Sequence, residues 1–117
     1  MSWIFNKHTQ AVSELILNDS RIKTLMRVLK IGGLVCNPPS IYTDGDNRIG
    51  FNIFVHNMGY MDIKSKDEFN LDESTITPFI KLIEERLYKV VIDWLPEILD
   101  KIILRIGERG EGKNEQE

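Results

Sequence analysis

Residues 48–56 read RIGFNIFVH, and the alternation in this stretch decides the fold class. Ile49, Phe51, Ile53 and Val55 point one way, while Arg48, Asn52 and His56 point the other. A period of two over this length marks a strand with one face buried. On its N-terminal side, IYTDGDN supplies a short strand, Ile41 to Thr43, and a hairpin turn at Asp44-Gly45. On its C-terminal side, NMG turns the chain into YMDIKSK, where Met61 and Ile63 continue the apolar face. The reading is three antiparallel strands in meander order, with Leu34 to Cys36 as a candidate fourth.

Helical periodicity flanks this meander. Across residues 9–31, Val12, Leu15, Ile16, Ile22, Met26 and Leu29 fall on one face. The NDS at residues 18–20 reads as a break followed by an N-cap, so one bent helix and a pair, 9–17 and 20–31, both fit. Gly32-Gly33 is a natural stop. After the meander, Thr77 reads as an N-cap, Pro78 as a first helical residue, and Asp72 and Glu73 as acids near the positive helix end. The helical pattern runs to about Ile106 with Pro96 inside it, predicting a kink or a split into 78–93 and 96–106. The expected fold is α+β: an N-terminal helix or helix pair, a small antiparallel three- to four-stranded meander, and a long kinked C-terminal helix on one sheet face.

The chain has 117 residues, 42% of them hydrophobic and 28% charged, which suits a single globular domain over residues 1–106. The glycine-rich, charged segment 107–117 lacks aliphatic side chains and reads as a disordered tail. A formal charge of −3 with no basic block argues against duplex DNA as a partner. Lys23, Arg27 and Lys30 share a helix face, but no aromatic residue interleaves with them. No apolar run is long enough to span a bilayer. Trp3, Ile4 and Phe5 form an apolar cluster with no signal-peptide core after it, so a cytoplasmic location is expected. Sixteen isoleucines against one alanine, Ala11, fit an AT-rich source such as a phage or another mobile element.

The candidate chemical motifs fail on their details. Asn37-Pro38-Pro39 resembles the amine-holding motif of amino-methyltransferases, but Ser40 stands where that family stacks an aromatic ring. Some 36 upstream residues cannot hold the family's donor-binding half, so the prolines read as a block on strand pairing. DGDN at 44–47 starts like a calcium loop, yet Arg48, Ile49 and Val55 occupy its discriminating positions. His8 and His56 have no motif partner, Cys36 has no activating neighbour and reads as a small buried residue, and Glu84 and Glu85 diverge on a helix. No cofactor or metal is expected.

One feature is in excess. From Leu87 onward the polar positions Lys89, Asp93, Glu97, Asp100, Lys101 and Arg105 form a narrow stripe, and nearly everything else is apolar. A surface helix ordinarily buries a stripe little wider than 100°. The expectation is a non-catalytic interaction or structural protein, an oligomeric adaptor or inhibitor, with Tyr88, Val91, Trp94, Leu95, Ile98 and Ile102 at the interface. The partner is a second copy or a larger protein, with nucleic acid and membrane unexpected. Two alternatives stand beside it: a small-ligand or nucleotide binder using Arg48, His56 and Tyr60 between subunits, and an enzyme with a composite inter-subunit site.

Overall fold

The computed structural model describes residues 7–66 and 73–116. Four helices and one sheet follow in the order α1 (Lys7–Asn18), α2 (Ser20–Ile31), β1 (Ser40–Thr43), β2 (Ile49–Val55), β3 (Gly59–Lys64), α3 (Glu73–Asp93) and α4 (Leu95–Gln116). The fold is α+β. Trp3, Ile4 and Phe5 lie outside the described residues.

The sheet is an antiparallel meander, β1-β2-β3. Its register places Ile41, Phe51 and Ile63 side by side on the inner face, and Ser40, Asn52 and Asp62 side by side on the outer face. Ile49, Phe51, Ile53 and Val55 are all buried, so the alternation in residues 48–56 sets the core. Both hairpin tips use asparagine in the left-handed region, Asn47 at φ 59° and Asn57 at φ 73°. At the first tip the Asp44 carboxylate accepts from the backbone N–H groups of Asp46 at 2.9 Å and Arg48 at 3.0 Å. These bonds hold Asp44 below the usual carboxylate range, with the Arg48 amide the main cause. Residues 34–36 are not a strand. Leu34 is tied to two places at once: its N–H donates to Leu29 O at 2.9 Å, and its carbonyl accepts from His56 N at 2.7 Å. That leaves no run free to pair.

The N-terminal helices form a pair. Asp19 breaks the chain with extended backbone and caps α2, its Oδ2 accepting from Ile22 N at 3.1 Å. The break resets the helical phase. Val12 and Ile16 on α1 and Ile22 and Leu29 on α2 are buried, whereas Leu15 is exposed. The end of α2 is a Schellman motif: Leu34 N–H bonds Leu29 O and Gly33 N–H bonds Lys30 O at 3.1 Å. Gly33 takes φ +76°, and the accompanying apolar contact joins the buried Leu29 and Leu34.

Helix α3 begins at Glu73, so Thr77 is not its cap and Pro78 lies inside it. So early in the helix, proline forfeits a single hydrogen bond, to the carbonyl four residues back. Phe79, Ile83, Leu87, Val90 and Val91 are buried, and they anchor the helix against α2 and the sheet. Trp94 separates α3 from α4. Pro96 has no N–H to continue the ladder, and the bonds Trp94 N→Val90 O and Ile98 N→Trp94 O, both 3.0 Å, bracket the break. Helix α4 continues to Gln116, past Ile106 and through residues 107–116, where the sequence reading places a disordered tail. A helix anchored at one end propagates with one new bond per residue, and Glu, Lys, Arg and Gln sustain it.

Candidate functional site

Helix α4 starts on the body and then leaves it. Ile98 is fully buried against the turn after α2: a methyl group on Gly32 would lie 2.7 Å from its Cγ1. Trp94, Leu95 and Ile102 are half-buried and pack on the core. From Ile103 to Glu108 every side chain is exposed. The radius of gyration records the projection: 17.2 Å, with extents of 58 × 27 × 26 Å, against about 13 Å for a compact chain of this length.

The projecting segment is apolar on one side. Leu99, Ile103 and Ile106, at spacings of four and three, share a helix face and are 45%, 64% and 66% exposed. They adjoin the body-facing side of Ile98 and Ile102. Leu104 is exposed on the opposite side, among Glu97, Asp100 and Glu108. Within one copy the expected interface residues fall into three groups. Ile98 and Val91 are covered by their own chain. Tyr88 is exposed, and Trp94, Leu95 and Ile102 are shared between core and surface. The exposed stripe Leu99, Ile103 and Ile106 was visible in the sequence only as part of the apolar excess. Nothing local said which arc of the helix the body covers.

A single copy of the chain does not gather the expected ligand residues Arg48, His56 and Tyr60 at one place. Arg48 and His56 flank opposite ends of β2, roughly 25 Å apart at about 3.3 Å per residue. His56 and Tyr60 share the β2–β3 hairpin end, where Phe54 and Tyr60 meet edge to face with ring centroids 5.0 Å apart. The basic residues Lys23, Arg27 and Lys30 are exposed. Cys36 is exposed too, carried outward by the proline-rich loop that follows α2. The His8 side chain lies outside the described residues.

The outer face of the sheet carries a polar cluster of its own. The ring of Tyr42 lies across Gly50, where a side chain would collide with it. Its hydroxyl donates to the Asp62 carboxylate, 2.7 and 2.8 Å from the two oxygens, and Asn52 Nδ2 adds a bond of 3.4 Å. Lys64 pairs with Asp44 at 3.3 Å alongside. Partial burial, then the bond to Asp62, pushes the Tyr42 phenol well above the ordinary tyrosine range. Gly50→Ala is expected to swing the ring off the sheet and release it from Asp62. Absorbance at 295 nm should then register one more tyrosine ionising near pH 10 than in the unmodified protein. Identical titrations would mean that the ring is held by something other than its seat on Gly50.

Among the described residues, no three His, Cys, Asp or Glu side chains gather closely enough to hold a metal ion. No described helix is long and apolar enough to cross a membrane. No family model, curated protein or solved structure matches this chain.

Proposed function

We propose that this chain is a non-catalytic interaction protein that associates through α4, with a second copy of itself as the first partner and a larger protein as the alternative. One observation supports the reading. A helix that outgrows its domain displays Leu99, Ile103 and Ile106 to water along one face. Exposed apolar area costs roughly 25 cal/mol per Å², and contiguous exposed patches of several hundred Å² mark interaction sites in soluble proteins. A two-fold axis lets such a patch cover its own copy.

The full chain is therefore expected to run as a dimer or larger species in light scattering at micromolar concentration. Replacing Leu99, Ile103 and Ile106 together by Ser should give a monomer whose melting temperature, unlike that of the associating chain, no longer rises with protein concentration. A monomer for the unmodified protein throughout the micromolar range would remove self-association.

A further inference from the structure

Helices α3 and α4 carry two apolar seams. Leu87, Val91, Trp94 and Ile98, at spacings of four, three and four, face the chain's own core. This seam crosses the joint at Trp94 without a change of step, so α4 keeps the rotational phase of α3. One residue further round, Tyr88, Ile92, Leu95, Leu99, Ile102 and Ile106 repeat at four, three, four, three and four. Steps that alternate between three and four residues are those of a helix packed along another helix. In its own chain this second seam is open. Tyr88, Ile92, Leu99 and Ile106 are 58%, 47%, 45% and 66% exposed, while Leu95 and Ile102 lie half-buried at the rim of the core.

The chemistry of the seam matches its own copy. With Pro96 and Ile103 it fills an arc of about 120°, counting 100° per residue, and no charged residue between 88 and 106 falls inside that arc. A charged surface therefore finds nothing there to answer it. The spacing is also self-complementary. With two seams laid antiparallel about a two-fold axis at Glu97, Tyr88 meets Ile106, Ile92 meets Ile102 and Leu95 meets Leu99. Given the exposures above, two such seams bury on the order of 1,000 Å² together, the size at which specific interfaces begin. The antiparallel sense lays each projecting tip of α4 on the half of its partner that is anchored to a body. Parallel tips would meet only each other.

We propose that the outer seam of α3 and α4, from Tyr88 to Ile106, pairs antiparallel with the same seam of a second copy. The inference rests on self-association through α4. It adds α3 to the interface and fixes the relative orientation of the two copies.

The first test is Ile92→Glu in the full chain, since Ile92 lies on α3, outside the exposed stripe of α4, and is half exposed. Far-UV ellipticity is expected to stay, and the dimer dissociation constant from sedimentation should rise at least about tenfold, because each dimer loses two isoleucines from the seam. The second test reads orientation. Nitroxide labels are placed at Glu97 or at Glu108, both exposed, in a Cys36→Ser background that removes the exposed natural thiol. At 1.5 Å per residue, the two Glu108 labels of an antiparallel pair are offset by about 33 Å along the helix axis and the two Glu97 labels by none. Dipolar spectra should therefore give a much longer distance at Glu108 than at Glu97. Equal distances would mean parallel pairing and overturn the proposal. A dimer that Ile92→Glu leaves intact would also overturn it, with association through α4 still standing. A monomeric unmodified chain would overturn both.

Discussion

Phe51→Ala is expected to destabilise the protein by about 3–5 kcal/mol, the usual range for emptying a buried aromatic site. That corresponds to a fall in melting temperature of roughly 15 °C for a domain of this size. Phe51 is fully buried at the centre of β2, with Ile41 of β1 on one side and Ile63 of β3 on the other. It belongs to the same core as Ile16, Leu29 and Ile83 from the helices. Removing the ring therefore leaves a void that neither the sheet nor a helix can fill alone. The control is one residue along. Asn52 faces outward and makes one long bond, 3.4 Å, to Asp62. Asn52→Ala should cost well under 1 kcal/mol, as surface changes usually do. Thermal melts of the two variants side by side check the claim. Equal losses would mean that the inner and outer faces of the sheet are misassigned.

That contrast was legible in the sequence because a period of two has a single structural solution. Ile49, Phe51, Ile53 and Val55 cannot all be buried unless the chain is extended. The break at residues 18–20 was legible for a similar local reason, since Asp19 serves as a cap within three residues of itself. Gly32-Gly33 announced its turn because glycine takes φ +76° at no steric cost. Other features depend on distant parts of the chain. Thr77 and Pro78 make a plausible helix start, yet α3 begins at Glu73. Once the buried residues from Phe79 onward anchor the helix, extending it by five residues past proline costs little. Cys36 looks like a core residue by type, but the prolines that follow α2 carry it into solvent. The candidate site was half legible. The apolar excess of the last helix was countable in the sequence. Which part of it is core depends on where the body stops, and that is set by the length of α2 and the position of Gly32.

The sharpest separation of core from surface on α4 comes from Ile98. Ile98→Asp is expected to undock the helix and cost several kcal/mol, because a carboxylate placed there is buried within the apolar core. Ile98 is fully buried on Gly32, and Trp94, Leu95 and Ile102 owe their own packing to the same docking. Loss of the dock should unwind much of α4 and wet Trp94. Far-UV ellipticity at 222 nm should fall and tryptophan emission should move to longer wavelength. Ile103→Asp, five residues on, is the comparison, since its side chain is 64% exposed. It should leave ellipticity unchanged and lower the melting temperature only by removing the concentration-dependent contribution of self-association. The two variants carry the same chemistry on the same helix, so helix propensity cannot account for a difference between them. If Ile98 instead served as a contact between copies, Ile98→Asp would give a stable, fully helical monomer. That result would reverse the assignment of α4, making the face on Gly32 the interface and leaving Leu99, Ile103 and Ile106 as ordinary exposed residues.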